Sequence, residues 1–138
     1  MQNLSYLINK ASKQLKNKLD KALKEVDITA AKFSIIIQIH SSEHPITAAE
    51  IADRLGSDRP TISGIINRLE KKGIVLKVEN PEDRRSSYLQ IHKQANKLVD
   101  KIKTISDELT SDIFSIYTKE EAEQLAGMIR KLIEGTEE

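Results

Sequence analysis

The chain has 138 residues, a length that fits one domain with appended segments. Aromatic residues make up only 4% of it and charged residues 31%, which is typical of a helical protein with a large surface and not of a β-sandwich or barrel. Because cysteine is absent, disulfides, thiolate metal sites and thiol chemistry are excluded.

The near-neutral total charge of +1 hides a basic middle segment. Residues 57–93 carry eight Lys and Arg against five Asp and Glu, whereas residues 94–138 carry six against ten. A local excess of positive charge favours a polyanionic partner at the middle of the chain.

The first two predicted elements are helices. Apolar residues recur at helical spacing from Leu4 to Val26 and predict one long amphipathic helix over about residues 3–26. Thr29 is a favourable N-cap, and the apolar residues after it predict a second helix over about residues 30–41.

Two shorter helices follow, separated by a tight turn. Thr47 begins a capping-box pattern for a helix over about residues 48–55. Ser57 or Asp58 then caps a second helix over about residues 58–72, and Pro in its first turn is compatible with this start. Two helices joined by so few residues must cross steeply, so the second is free to enter the major groove of DNA.

The apolar pattern changes from helical to alternating over about residues 74–92. This segment predicts two short strands joined by a charged loop, and together with the preceding helices it has the element order of a winged helix-turn-helix. We therefore predict a mainly α protein with a small two-stranded β wing, in which the winged helix-turn-helix is flanked by long dimerisation helices.

The last part of the chain predicts two more helices. One spans about residues 93–117, and a second capping box at Thr118 begins the other. The helix over residues 93–117 would be roughly 37 Å long and would protrude from a small domain, so its apolar face needs a partner. An isologous homodimer is the expected arrangement, and an antiparallel hairpin packed on its own lobe is the alternative.

This organisation divides the chain into an N-terminal dimerisation helix (1–28), a DNA-binding lobe (29–92) and C-terminal dimerisation helices (93–138). The apolar residues expected at the dimer interface are Leu4, Leu7, Ile8, Ala11, Ile113, Tyr117, Leu125, Ile129 and Leu132.

The second helix of the pair, over about residues 58–72, is the predicted recognition helix. Arg and Asn side chains suit guanine and adenine edges, Ser and Thr contact bases or phosphates, and Gly permits close approach of the backbone. An ordinary amphipathic helix with a solvated polar face is the alternative interpretation. The residues predicted to contact the major groove are Arg59, Thr61, Ser63, Gly64, Asn67 and Arg68.

The wing loop carries a second candidate DNA contact. Arg84 and Arg85 lie at the tip of the predicted hairpin, and Arg suits a narrow and negatively charged minor groove. We expect Asp83 to pair with one of them and to stabilise the loop, which leaves the other Arg free to insert. A solvated charged turn is the alternative.

The sequence resembles the MarR family of winged helix-turn-helix transcription regulators over essentially its whole length. Three stretches carry the resemblance: Ile46–Gly56, Thr61–Val75 and the wing Asn80–Ser86. The family wing usually reads Asp-Pro-x-Asp-Arg-Arg-Ser, and this chain differs from that pattern by Asn at position 80. After the second strand the family commonly has Leu-Thr-x-x-Gly, where this chain has Ile91–Ala95.

The resemblance implies a homodimer that binds double-stranded operator DNA, with Arg84 as the minor-groove residue and Asp83 and Arg85 as the stabilising pair. It further implies a repressor that leaves a pseudo-palindromic operator when a small phenolic or similar anionic effector binds. The residues alone leave open a winged-helix module that binds protein without reading DNA sequence.

Signals for other classes are missing from the sequence. No apolar run approaches a membrane span of roughly 18 residues, and the first residues lack the features of a signal peptide, so we expect a cytoplasmic protein with no membrane partner. No catalytic motif is present, and His40, His44 and His92 lack ligand spacing. We therefore expect no enzymatic activity, no cofactor and no metal.

Overall fold

A computed structural model describes residues 3–137 of the chain. The predicted terminal segments also include residues 1, 2 and 138, which lie outside the described residues. In the described part, six α-helices and three β-strands occur in this chain order: α1 (Leu4–Ala22), α2 (Ala30–Ser41), β1 (Ile46–Thr47), α3 (Ala48–Leu55), α4 (Arg59–Lys71), β2 (Val75–Glu79), β3 (Ser87–Ile91), α5 (Asn96–Ile113) and α6 (Lys119–Thr136).

Side chains cap the N-termini of α2, α4 and α6, as the sequence predicts. The Thr29 hydroxyl accepts from the Lys32 amide at 3.1 Å, and the Asp58 carboxylate accepts from the Thr61 amide at 2.8 Å. Thr118 and Glu121 form the complete reciprocal capping box of α6. Short local bonds therefore set where these helices begin.

The prediction of one continuous helix over residues 3–26 is wrong at its C-terminal end. The helix α1 ends at Ala22, a 3-10 turn spans Lys24–Val26, and Asp27 adopts a left-handed conformation with φ 56°. The reason is tertiary, because the chain must reverse here to bring α2 against α1. The Asp20 carboxylate stabilises this reversal by accepting from the backbone amide of Ala30.

The predicted helix over residues 93–117 is also interrupted at both ends. A 3-10 turn over Lys93–Ala95 precedes α5, and another over Phe114–Ile116 follows it. His92 caps the first turn, since its Nδ1 accepts from the Gln94 amide at 3.2 Å. As a result α5 itself is only 18 residues long, roughly 27 Å.

The predicted wing is confirmed, and a short third strand adds to it. The strands lie in the order β1-β3-β2, all antiparallel, with Lys77 opposite Leu89 in the wing hairpin. The strand β1 pairs Ile46 with the same Leu89 from the other side. The two-residue β1 ties the start of α3 to the wing, so the helices and the hairpin form one lobe.

The hydrophobic core lies in this lobe and at the N-terminal end of α5. Ile35, Ile36, Ile51 and Leu69 are completely buried there. By contrast, neither α1 nor α6 contains a buried residue within the described part of the chain. No helix formed by residues 3–137 combines the length and apolar character needed to cross a bilayer.

Candidate nucleic-acid interface

The helix α4 has one buried side and one exposed side. Its core side consists of Ile62, Ile66 and Leu69, which are 3% exposed or less. The line farthest from this side follows the spacing i, i+4, i+7, i+11 and consists of Pro60, Gly64, Asn67 and Lys71. The first half of this outer line therefore carries no bulky polar side chain, and a partner can approach the backbone there.

Gly64 has no packing reason to be glycine. A Cβ built at this position meets no atom within 4 Å, and its backbone is ordinary helix. Gly in a helix interior costs about 1 kcal/mol relative to Ala, and nothing inside the described chain compensates that cost. The open space at Gly64 is therefore available to an external partner.

One edge of α4 faces the wing across an open groove of about 750 Å³. Arg59, Ser63 and Asn67 line this groove from the helix, and Asp83 and Arg85 line it from the wing. The structure thus brings together, on one surface, residues that the sequence placed in two separate segments.

The other edge of α4 faces away from the wing. The Thr61 hydroxyl donates to the Asp58 carboxylate at 2.8 Å and so belongs to the helix cap. Hydrogen bonds from the Thr61 amide and hydroxyl hold the pKa of Asp58 below its ordinary value. Thr61 therefore lies apart from Arg59, Ser63 and Asn67, with which the sequence analysis grouped it as a predicted contact to the major groove of DNA.

Arg68 lies near the C-terminal end of α4, within electrostatic reach of two lysines. Desolvation by burial, and then the neighbouring Lys72, lower the pKa of Lys32, and Arg68 adds to this effect. Lys72 also forms an ion pair of 3.6 Å with Asp27, whose side chain is 95% exposed. This end of α4 thus carries a cluster of positive charge that sequence reasoning did not identify.

The tip of the wing consists of two consecutive turns built in the same way. The Asn80 carbonyl accepts from the Asp83 amide at 3.2 Å, and the Asp83 carbonyl accepts from the Ser86 amide at 3.1 Å. The side chain that begins each turn accepts a further hydrogen bond. Asn80 Oδ1 accepts from the Glu82 amide and Asp83 Oδ1 from the Arg85 amide, both at 3.0 Å. Since an Asn oxygen accepts as an Asp oxygen does, position 80 keeps this geometry despite its departure from the family pattern.

These turns separate the two arginines of the wing. Arg85 Nε lies 3.4 Å from Asp83 Oδ1, although the Arg85 side chain is 94% exposed and the pair is correspondingly weak. Arg84 occupies the second position of the same turn, is exposed, and makes no side-chain hydrogen bond or ion pair within residues 3–137. Its guanidinium is available to a partner.

Sequence reasoning missed Lys77, which joins the wing to α4. Its ammonium donates to Asn67 Oδ1 at 2.6 Å and lies 3.6 Å from Glu70 Oε1. The available signal was the alternation of β2, in which Lys77 shares a side with the buried Val75.

A second cavity, of about 610 Å³, lies between α1, α5 and the lobe. Leu15, Ile35 and Ile65 contribute apolar walls, Lys16 contributes a cation, and Thr61 lines it from the first turn of α4. The cavity therefore contacts α1, α2, α5 and the recognition helix.

The residues predicted for the dimer interface lie on apolar faces that the single chain leaves uncovered. In α1, Leu4 is 57% exposed and Leu7 is 44% exposed, and in α6, Leu132 is 44% exposed. Ile113 and Leu125 are half-buried, and the remaining predicted residues are exposed. Within the described chain, α6 has no extensive contact with any other helix or strand.

The MarR family model matches residues 28–87, which span α2 to the first residue of β3. The transcriptional repressor MprA of Escherichia coli K12 is 30% identical over 123 residues, which cover 88% of this chain and 69% of that protein. Both matches include α3, α4 and the tip of the wing.

Solved structures agree with these sequence matches. A crystal structure of a MepR–DNA complex from S. aureus superposes with a TM-score of 0.86 at 26% identity and covers 98% of this chain and 99% of MepR. CouR of Rhodococcus jostii RHA1, bound to p-coumaroyl-CoA, has the same fold, with a TM-score of 0.84 at 18% identity over 95% of this chain and 92% of CouR. With its winged lobe, its wing motif and these relatives, the chain belongs to the MarR family.

Proposed function

We propose that this protein is a homodimeric transcriptional repressor that binds a pseudo-palindromic operator and leaves it when a small-molecule effector binds. The observation that carries the proposal is the shared groove, in which Arg59, Ser63 and Asn67 of α4 face Arg85 of the wing. Two DNA-reading segments on one surface can engage adjacent grooves of one duplex. MprA is named a repressor, and MepR is described in complex with DNA.

In this proposal α4 occupies the major groove and the wing tip reaches the adjacent minor groove. Arg59, Asn67 and Arg68 supply base or phosphate contacts, while Gly64 lets the helix backbone approach the duplex closely. Arg84 enters the minor groove because its side chain has no partner among residues 3–137 and its turn is organised by the Asp83 carboxylate.

The proposed homodimer follows from the uncovered faces of α1 and α6. A second copy is the favoured occupant because the charges are complementary. The helix α1 carries five Lys and one Asp, whereas residues 94–138 carry ten acidic residues against six basic ones. A two-fold axis through these helices would present two copies of α4, which would read two half-sites about 34 Å apart, one helical turn of DNA.

The cavity of about 610 Å³ is the proposed effector site. Its apolar walls suit an aromatic or acyl body, and the Lys16 ammonium with hydroxyls such as that of Ser12 suits one anionic group. A ligand there would touch Thr61 and Ile65 of α4, so its binding would couple to the position of the recognition helix. CouR, which has the same fold, is described bound to p-coumaroyl-CoA, and this supports a small-molecule site in the present protein.

The direct test is selection of duplexes from a fragmented genomic pool, followed by fluorescence anisotropy of the selected duplex against a scrambled one at two salt concentrations. We expect one dimer per site, resistance to the scrambled competitor and a steep salt dependence. Equal, weak binding to both duplexes would overturn sequence-specific repression. No binding to any fragment would favour the protein-interaction module instead.

A further inference from the structure

Lys77 lies in the middle of β2, on the side of the strand that faces α4. Its neighbour on that side, Val75, is 1% exposed, whereas Leu76 and Val78 on the opposite side are 40% and 37% exposed. The Lys77 side chain is 35% exposed, so it is partly enclosed between the wing and the recognition helix.

The Lys77 ammonium is held by two acceptors from α4. It donates to Asn67 Oδ1 at 2.6 Å and lies 3.6 Å from Glu70 Oε1, one helical turn further along. The first contact is a short, charge-assisted hydrogen bond. Because an ammonium only donates, the amide oxygen of Asn67 must be the atom that faces Lys77.

This contact determines what Asn67 shows to a partner. With its oxygen held by Lys77, the Asn67 side chain directs its NH2 group, a pure donor, away from the wing. An unrestrained Asn amide has two nearly equivalent orientations and can offer either a donor or an acceptor. Lys77 removes that ambiguity.

We propose that Lys77 is a positioning residue for base recognition: it holds Asn67 as a donor and thereby disfavours cytosine as the base that Asn67 contacts on one strand. The inference rests on the proposed docking of α4 in the major groove. Guanine, adenine and thymine each offer an acceptor there, whereas cytosine offers only its N4 donor. A fixed donor facing another donor is unfavourable.

The test is in vitro selection from a duplex library randomised across one half-site. The full-length protein is compared with Glu70→Gln, with Glu70→Gln combined with Lys77→Met, and with Asn67→Ala. The Glu70→Gln background is needed because removal of Lys77 alone would leave the Glu70 carboxylate unpaired near DNA. Lys103→Met on α5 removes the same charge outside the lobe and controls for net charge.

We expect the parent, Glu70→Gln and Lys103→Met proteins to deplete cytosine at one position of the half-site by about fivefold, the effect of one ordinary hydrogen bond. This depletion should disappear in the combined variant and in Asn67→Ala, with preferences at the other positions retained. Lys77→Arg in the Glu70→Gln background keeps a donor and should restore the depletion.

Solution NMR gives a readout that is independent of DNA. The side-chain NH2 resonances of Asn67 should shift in the combined variant relative to Glu70→Gln, while the backbone amides of α4 remain in place.

Two outcomes overturn the inference while the proposed function stands. One is that the cytosine depletion persists in the combined variant, and the other is that it persists in Asn67→Ala. If the parent protein enriches no sequence at all, the proposed function fails and this inference falls with it.

Discussion

The winged lobe and the terminal helices differ in where their apolar side chains lie. In the lobe, Ile36 and Leu69 are completely buried. In α1 and α6 the apolar stripes are equally regular in the sequence, yet Leu7 and Leu132 are each 44% exposed. Helical periodicity therefore indicates an apolar face but not the partner that covers it. That partner is the chain itself for the lobe and, in our proposal, a second copy for the terminal helices.

The largest expected effect comes from a charge placed on the proposed dimer face. Leu132→Glu would bury a carboxylate twice in a two-fold interface, so we expect the dimer to weaken roughly hundredfold or more. Operator affinity should fall with it, because each half-site would be bound singly. Sedimentation velocity measures the weakening of the dimer, and fluorescence anisotropy measures the loss of operator affinity.

Gln124→Glu, which introduces the same group on α6 outside its apolar stripe, is the matched control and should remain dimeric. A Leu132→Glu protein with unchanged sedimentation would remove α6 from the interface.

A leucine truncation in each region separates internal packing from assembly. Leu69 is completely buried, so Leu69→Ala should lower the free energy of unfolding by about 2–5 kcal/mol. That loss should not depend on protein concentration. The loss in Leu132→Ala should be largest at high protein concentration and should shrink on dilution, because a substitution in the dimer interface has no effect once the protein is monomeric. Urea titrations at two concentrations far apart check both expectations, and a concentration-dependent loss in Leu69→Ala would contradict this division of the molecule.

Arg84→Ala tests whether an exposed residue of the wing contacts DNA without contributing to the stability of the lobe. Since the Arg84 side chain has no partner in the described chain, its removal should leave the thermal midpoint unchanged. Operator binding should weaken by about 1–3 kcal/mol if the residue enters the minor groove. Lys103→Ala, which removes a charge from α5, is the control for net charge in the same anisotropy titration. Equal affinities of the Arg84→Ala and parent proteins would exclude the wing assignment.

The smallest expected effects concern two mid-helix glycines that are alike in the single chain. Neither Gly64 in α4 nor Gly127 in α6 has an atom within 4 Å of the place that a Cβ would occupy. Substitution by Ala should therefore stabilise either helix by about 0.5–1 kcal/mol. Only Gly64→Ala should weaken operator binding, because only that position faces DNA in our proposal. Calorimetry measures the stability of the two variants, and anisotropy measures their operator affinities. Equal operator affinities for both variants would show that no close approach to DNA occurs at Gly64.

Local chemistry was sufficient to predict the features that depend on a few neighbouring residues. Thr29, Asp58 and Thr118 cap helices through bonds that span three residues, and such bonds form wherever the helix does. Asp83 organises the turn of the wing through the Arg85 amide two residues away. These groups interact at short range along the chain, so the sequence alone identified the starts of α2, α4 and α6, the wing and the candidate recognition helix.

Tertiary packing decided the features that join distant residues. The break after Ala22 exists because Asp20 meets the start of α2, and β1 exists because Ile46 meets Leu89 across the sheet. The contact between Lys77 and Asn67 likewise links a strand to a helix. Periodicity cannot specify such pairs, because it defines the face on which a side chain lies but not the atom that it meets there.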